Sequence, residues 1–274
     1  MLRWKRDAHR ETSPDFVDDV KLCVPPARVE RGVLRVTMVN HSTVLLQQEG
    51  CNILTDPMWS ERASPVAWAG PRRHRRPGIR WEDLPPIDAV LLSHNHYDHL
   101  DAPTLRRVKS PIMVPLGLGQ WGRELDWGES VEVAGCRVHC VPAMHFSGRG
   151  LFDRNRTLWC GYVIERGGLI IYFGADTGFG EHFGWIRERF GAPDVALLPI
   201  GAYEPRWFMG PVHMSPDEAV RAHEILGAKA SIAIHHGTFQ LADEGIDTPR
   251  KRLEEIAGDR NFRVLANGEF AEFA

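Results

Sequence analysis

Long apolar runs are missing from this chain. Nowhere in its 274 residues does a stretch approach the roughly 20 apolar positions of a membrane-spanning helix. The start, Met1-Leu2-Arg3-Trp4-Lys5-Arg6, is basic but has no apolar core behind it. It does not read as a secretory signal, and the expected location is cytoplasmic, with membrane association left to surface contacts. A charge excess is missing too. Lys and Arg number 33 against 36 Asp and Glu, and the net charge of −3 argues against a general nucleic-acid binder. Cysteines are few, five in all, odd in number and scattered without a CxxC pair. That excludes an all-cysteine metal knot or a disulfide scaffold and leaves buried free thiols. No internal repeat and no linker-like break is legible, so residues 31–274 are expected to form one domain behind an N-terminal arm, residues 1–30, draped on it or partly disordered.

The pattern from Val33 onward is of strands joined by short turns. Val33–Val39, Thr43–Gln47 and Asn52–Thr55 read as an antiparallel meander, with Glu49-Gly50 turning the second hairpin. Further strands are expected at Ala89–Leu92, Ile112–Val114, Ser130–Val133, Arg137–Val141, Trp159–Ile164, Leu169–Phe173, Val195–Leu198 and Ser231–Ile234. Asn267-Gly268 predicts a terminal hairpin of Phe262–Leu265 with Phe270–Phe273. Ser215-Pro216-Asp217-Glu218 is a capping box that opens a helix, and Gly227 ends it. Other helices are expected after Thr248-Pro249, at Pro103–Val108 and at Glu181–Phe190. Strands and helices interleave throughout, which makes the fold class α/β.

The most informative segment is Ser93-His94-Asn95-His96-Tyr97-Asp98-His99-Leu100-Asp101. Three imidazoles and a carboxylate fall within six positions, directly after the apolar run Ala89-Val90-Leu91-Leu92. A single loop histidine is usually solvated surface. Three with an aspartate at a strand end are the donor set that borderline metals such as Zn²⁺ favour. If this loop holds metal, further ligands should follow other apolar strands. His145 follows Arg137–Val141, Asp176 lies in the glycine turn after Leu169–Phe173, and His235 ends Ser231–Ile234. His94, His96 and His145 can serve one ion, Asp98, His99 and His235 a second, and Asp176 can bridge them. Two Zn²⁺ are the expected cofactors, with Mn²⁺ or Fe²⁺ compatible with the same donors. A water shared between such ions becomes a nucleophile near neutral pH, so the site is expected to be hydrolytic.

His-x-His-x-Asp-His followed by a later His, an Asp in a Gly turn and a final His resembles the metallo-β-lactamase superfamily. The resemblance implies a four-layer αββα sandwich over about residues 33–274, with a di-metal site at one edge. Asp56, in Leu54-Thr55-Asp56-Pro57, matches the early aspartate that supports the ligands from behind. Longer segments are similar to the N-acyl-phosphatidylethanolamine-hydrolysing phospholipase D family. They include Thr55-Asp56-Pro57, Leu84-Pro85-Pro86-Ile87-Asp88-Ala89-Val90, Ala233-Ile234-His235-His236-Gly237-Thr238-Phe239 and the stretch from Pro199 to Met209. What this implies is hydrolysis of a phospholipid phosphodiester by a metal-bridging hydroxide, with Asp98 orienting the nucleophile. His213 also matches a site histidine of that family. It would protonate the leaving alkoxide or hydrogen-bond to the phosphoryl group, with helix capping at Ser215 as its structural alternative. A lactonase or esterase on the same scaffold is the other enzymatic reading.

Candidate substrate contacts are Arg206 and, in the basic loop Arg72-Arg73-His74-Arg75-Arg76, Arg72 and Arg73, since guanidinium pairs with phosphate. Trp68 is a candidate for an apolar entrance. A small-molecule or phospholipid substrate and peripheral contact with a membrane are the partners this reading allows; nucleic acid is not among them.

Overall fold

Along the first strands, both faces are apolar and both are buried. Val44, Leu46, Ile53, Ala89 and Leu91 point one way; Leu45, Leu54 and Val90, one residue out of phase, point the other. Such a sheet must be covered twice, since successive side chains alternate between faces. The computed structural model, which describes residues 10–273, shows how. β1 (Leu34–Asn40), β2 (Thr43–Gln48), β3 (Cys51–Thr55), β4 (Ala89–Leu91), β5 (Ile112–Pro115), β6 (Arg123–Leu125) and β14 (Phe270–Phe273) form one sheet in the order β14-β1-β2-β3-β4-β5-β6. The second sheet contains β7 (Ser130–Val133), β8 (Cys136–Val141), β9 (Gly161–Arg166), β10 (Leu169–Phe173), β11 (Val195–Pro199), β12 (Ala230–Ile234) and β13 (Phe262–Arg263), ordered β13-β12-β11-β10-β9-β8-β7. In each sheet three antiparallel pairings adjoin three parallel ones.

The sheets face each other across the main core, where Val36, Met38 and Leu46 meet Val138, Tyr162, Phe173 and Leu197. Helices α2 (His182–Phe190), α4 (Pro216–Leu226) and α5 (Thr248–Ile256) cover the outer face of the second sheet; Phe183, Ile186, Leu226 and Leu253 pack there on Val163, Tyr172 and Leu198. The predicted caps of α4 are present: Ser215 and Glu218 form the reciprocal box, and Gly227 ends the helix at φ 61°. The first sheet has a thinner cover of loops, with Ile79 fully buried beneath them, and the single turn α1 (Ala102–Leu105). The layers are thus those of the αββα sandwich.

Several local expectations need correction. Phe262–Arg263 and Phe270–Phe273 do not form a hairpin; the first pairs with β12 and the second with β1, so the chain crosses between sheets at Asn267-Gly268. A tight turn cannot reveal whether the strands beside it pair with each other or with different neighbours. The helix at Pro103–Val108 is shorter, Ala102–Leu105. Strand β6 and the short helix α3 (Arg206–Met209) escaped the sequence patterns. The five cysteines are free thiols, and four are buried.

Residues 10–30 contain neither helix nor strand, and they are tied down by hydrogen bonds. The Glu11 and Val17 amides donate to the carbonyls of Asp243 and His74, both at 2.7 Å, and the Arg75 guanidinium meets Asp19 at 2.9 Å. The basic start, Met1–Arg6, lies outside the described residues. No helix among the described residues is long and apolar enough to cross a membrane.

Candidate metal centre

The parallel register of β10, β11 and β12 levels their C-terminal ends, pairing Phe173 with Leu197 and Pro199 with Ile234. Asp176 and His235 therefore leave the sheet at the same edge. His145 reaches this edge from β8 and the 94–99 loop from β4. One oxygen of Asp176, Oδ2, lies 3.1 Å from His235 Nε2, 3.2 Å from His99 Nε2, 3.7 Å from His145 Nε2 and 3.9 Å from His94 Nε2. Its Oδ1 is buried without a partner. Two groups of donor atoms result: His94, His96, His145 and Asp176, and beside them His41, Asp98, His99 and His235. All seven predicted ligands converge.

The donors fit divalent cations. Within the first group, His96 Nδ1 lies 2.9 Å from His94 Nε2 and 3.1 Å from His145 Nε2. That is close to the roughly 3.3 Å edge of a tetrahedron of imidazole nitrogens about zinc. Ring nitrogens crowded on Asp176 Oδ2, with the other carboxylate oxygen buried and unpartnered, are what a cation would satisfy. Their far sides are already held. His99 Nδ1 meets Asp56 Oδ2 at 2.7 Å, and Ser93 Oγ bridges Asp56 Oδ2 at 2.6 Å to His94 Nδ1 at 2.8 Å. The Val212 carbonyl holds His145 Nδ1 at 3.0 Å. Such outer contacts orient the rings and fix their tautomers.

Electrostatics favour the same use. Burial, with neighbouring imidazoles adding to it, holds His94 and His145 well below the usual histidine range, which favours the neutral ring that a cation would bind. Burial also pushes His99 and His235 down, but the carboxylates around them outweigh it. His99 sits well above its ordinary value and His235 is raised to about 9. A cation bound by His99 and His235 would take the place of those protons against Asp98 and Asp176.

The backbone is bent to build this edge. His41, Asp56, Ala175, Ala202 and His235 all adopt positive φ, between 33° and 60°, although none is glycine. Each costs on the order of 1 kcal/mol, and such strain concentrates where geometry serves a site. Two glycines permit close approach. A Cβ on Gly201 would fall 2.1 Å from the His235 carbonyl oxygen, and one on Gly178 would fall 2.5 Å from that of Pro211, two residues before His213.

Comparison with known proteins agrees with this geometry. A model of the β-lactamase superfamily domain matches residues 51–236. The chain belongs to the metallo-β-lactamase superfamily. It lies close to the N-acyl-phosphatidylethanolamine-hydrolysing phospholipases D. Phospholipase D 1 of that name from Caenorhabditis elegans is 41% identical over 87% of this chain and 76% of its own length. The mitochondrial one from Saccharomyces cerevisiae is 35% identical over 76% of this chain, which spans only 48% of it. A possible metal-dependent hydrolase from Veillonella parvula has the same fold, with a TM-score of 0.70 at 18% identity over 88% of this chain and 99% of that one. As a superfamily member the chain is a metal-dependent hydrolase.

The remaining residues separate within this superfamily frame. His213 is buried, stacked against His235 with ring centroids 5.3 Å apart, and it groups with Asp176 and His235. Asp56 is fully buried, with its carboxylate on His99 and Ser93. His41 was missed. Its Nε2 lies 2.9 Å from Asp98 Oδ2, and its carbonyl accepts from the His235 amide at 2.8 Å. Its signal in the sequence, Asn40-His41-Ser42-Thr43 after an apolar strand, does not differ from that of any polar turn. Arg73 does not serve as a substrate contact: it is 2% exposed, and its guanidinium donates to the carbonyls of Met58, Ser60 and Arg75. Arg206 is likewise engaged, with Glu218 at 2.6 Å and the His213 carbonyl at 3.0 Å, so it anchors the His213 segment. Arg72 is exposed beside Glu61, and Trp68 is 81% exposed.

Proposed function

We propose that this protein is a phospholipase D-like phosphodiesterase that hydrolyses a phospholipid such as N-acyl phosphatidylethanolamine and uses two zinc ions. One observation carries the reading: two adjacent groups of buried imidazole and carboxylate donors, with Asp176 reaching ligands of both, and no cysteine among them. His94, His96 and His145 would hold one ion; Asp98, His99 and His235 the other. Bound there, the pair would polarise the phosphoryl oxygens and lower the pKa of water towards neutrality. The relatives named for N-acyl-phosphatidylethanolamine hydrolysis support the substrate class.

The chain's own groups supply orientation. Asp98 lies between His41, His99 and His235, at 2.9, 3.3 and 3.3 Å, so its carboxylate is fixed where it can align a nucleophile. Burial depresses His213 to about 3, so the ring is neutral at pH 7. A neutral imidazole stabilises a developing phosphoryl charge by donating a hydrogen bond and is a poor reservoir for the leaving group's proton. Its Nδ1 has no partner within the protein and is available for that bond. Phe146, against His96 and His145, and Phe239, against His41, keep the surroundings apolar.

The test is a turnover panel with zinc-loaded protein: N-acyl phosphatidylethanolamine, bis(p-nitrophenyl) phosphate and a lactone. Release of N-acylethanolamine and phosphatidic acid, read by mass spectrometry and abolished by chelation, is expected. Turnover confined to the lactone overturns the reading.

A further inference from the structure

Among the described residues, the two most exposed large apolar side chains are neighbours. Leu151 is 92% and Phe152 86% exposed, at the tip of the loop that follows His145. Nothing in a folding argument puts two such groups side by side in water; each is stabilised when its surface finds an apolar phase.

The loop that presents them is built. The Asp153 carboxylate accepts from the amides of Arg149, at 3.1 Å, and Gly150, at 2.8 Å, closing the turn around the tip. The base is fastened to the metal loop. Gly148 donates its amide to Asn95 Oδ1 at 2.7 Å, and Arg149 donates to the carbonyls of Asn95 and Leu100, both at 2.8 Å. Phe146 packs on the rings of His96 and His145, and the Arg154 guanidinium lies 4.6 Å over it. The tip thus stands at a fixed place beside the candidate metal centre. From Phe146 to Thr157 the segment carries Arg149, Arg154 and Arg156 against the single Asp153, whose charge is already engaged by backbone amides. Arg154 and Arg156 are exposed.

We propose that this tip is a membrane wedge: Leu151 and Phe152 enter the interface of a bilayer containing anionic phospholipid while Arg154 and Arg156 pair with its headgroups. An apolar tip with guanidinium groups at its shoulders matches the boundary between acyl chains and phosphates, and arginine pairs well with phosphate. The proposal deepens the phospholipid reading above and rests on it for its purpose. It also places the membrane contact apart from the basic Arg72–Arg76 loop, where Arg73 and Arg75 are engaged within the fold.

The test uses the zinc-loaded full chain and vesicles of phosphatidylcholine with phosphatidylglycerol. The double variant Leu151→Ser/Phe152→Ser should partition onto vesicles at least about tenfold more weakly. Arg154→Gln and Arg156→Gln should each weaken it about fivefold, and only when phosphatidylglycerol is present. Hydrolysis of soluble bis(p-nitrophenyl) phosphate should stay unchanged in all three, because none touches the metal centre. Vesicle binding equal to that of the parent protein overturns the wedge, as does a double variant whose main change is dissociation of a dimer on size exclusion. If the parent hydrolyses no phospholipid yet loses vesicle binding in the double variant, the wedge stands and the substrate reading falls.

Discussion

On the first sheet, a single loop after β4 delivers four of the candidate metal ligands within six residues, and turns after β1 and β3 add His41 and Asp56. On the second sheet, β8, β10 and β12 deliver one candidate ligand each: His145, Asp176 and His235. The pairing patterns of the two sheets are nearly mirror images, so the contrast does not come from topology. The first half builds its share locally: backbone bonds within the loop, from the His99 and Leu100 amides to the His96 carbonyl, set where its rings lie. The second half depends on register. A slip of one residue between β11 and β12 would carry His235 away from Asp176.

The largest effect should come from the residue on which both halves meet. Asp176→Ala is expected to lower metal affinity by more than about a hundredfold at both positions and to abolish turnover. Plasma emission analysis of the dialysed protein reads this directly, and two retained ions would break the picture of a shared carboxylate. Next is His213→Ala, which should cut turnover by about 10²–10³-fold with metal content unchanged; an equal loss of metal would make His213 a ligand instead. Asp56→Asn and His41→Ala come third. Each loosens an outer contact of the first half, and about 10–100-fold weaker metal binding is expected, measured by competition with a chromophoric chelator. His41→Ala should act mainly on the ion near Asp98, leaving the His94, His96 and His145 position filled.

The smallest effect tests the helix-covered side. Burial lowers His182 to about 4, below the 6.5 of an unfolded chain. The unfolded state therefore binds the proton more readily, and this group's contribution to stability is complete above pH 6.5 and lost as pH falls towards 4. It amounts to at most about 3 kcal/mol, less because the side chain is only partly buried. Thermal denaturation from pH 7 to 4 should show a shallower loss in His182→Gln than in the parent protein. Identical slopes would assign the acid sensitivity to other groups.

Most strands were legible because alternation and turn residues are local signals, and the capping box at Ser215 marked α4 for the same reason. The terminal strands were misassigned because pairing partners are a property of the sheet, and Asn267-Gly268 turns equally well between two sheets. In the site, the 94–99 cluster carried its own evidence. Arg73 looked like a phosphate ligand because guanidinium chemistry is visible in a sequence and burial is not. His41 was passed over because one histidine in a hairpin turn acquires meaning only when Asp98, some fifty residues later, is folded beside it.

By itself the order of residues determined the donor types, their placement at the ends of apolar strands, and hence a hydrolase that works through bound cations. Only tertiary structure decided which donors gather into one group, that His41 lies among them, that Arg73 and Arg206 are occupied, and that Leu151 and Phe152 stand clear. The reason is physical: chemical identity and local period belong to each residue, whereas distance, burial and hydrogen-bond occupancy exist only between residues that folding has brought together.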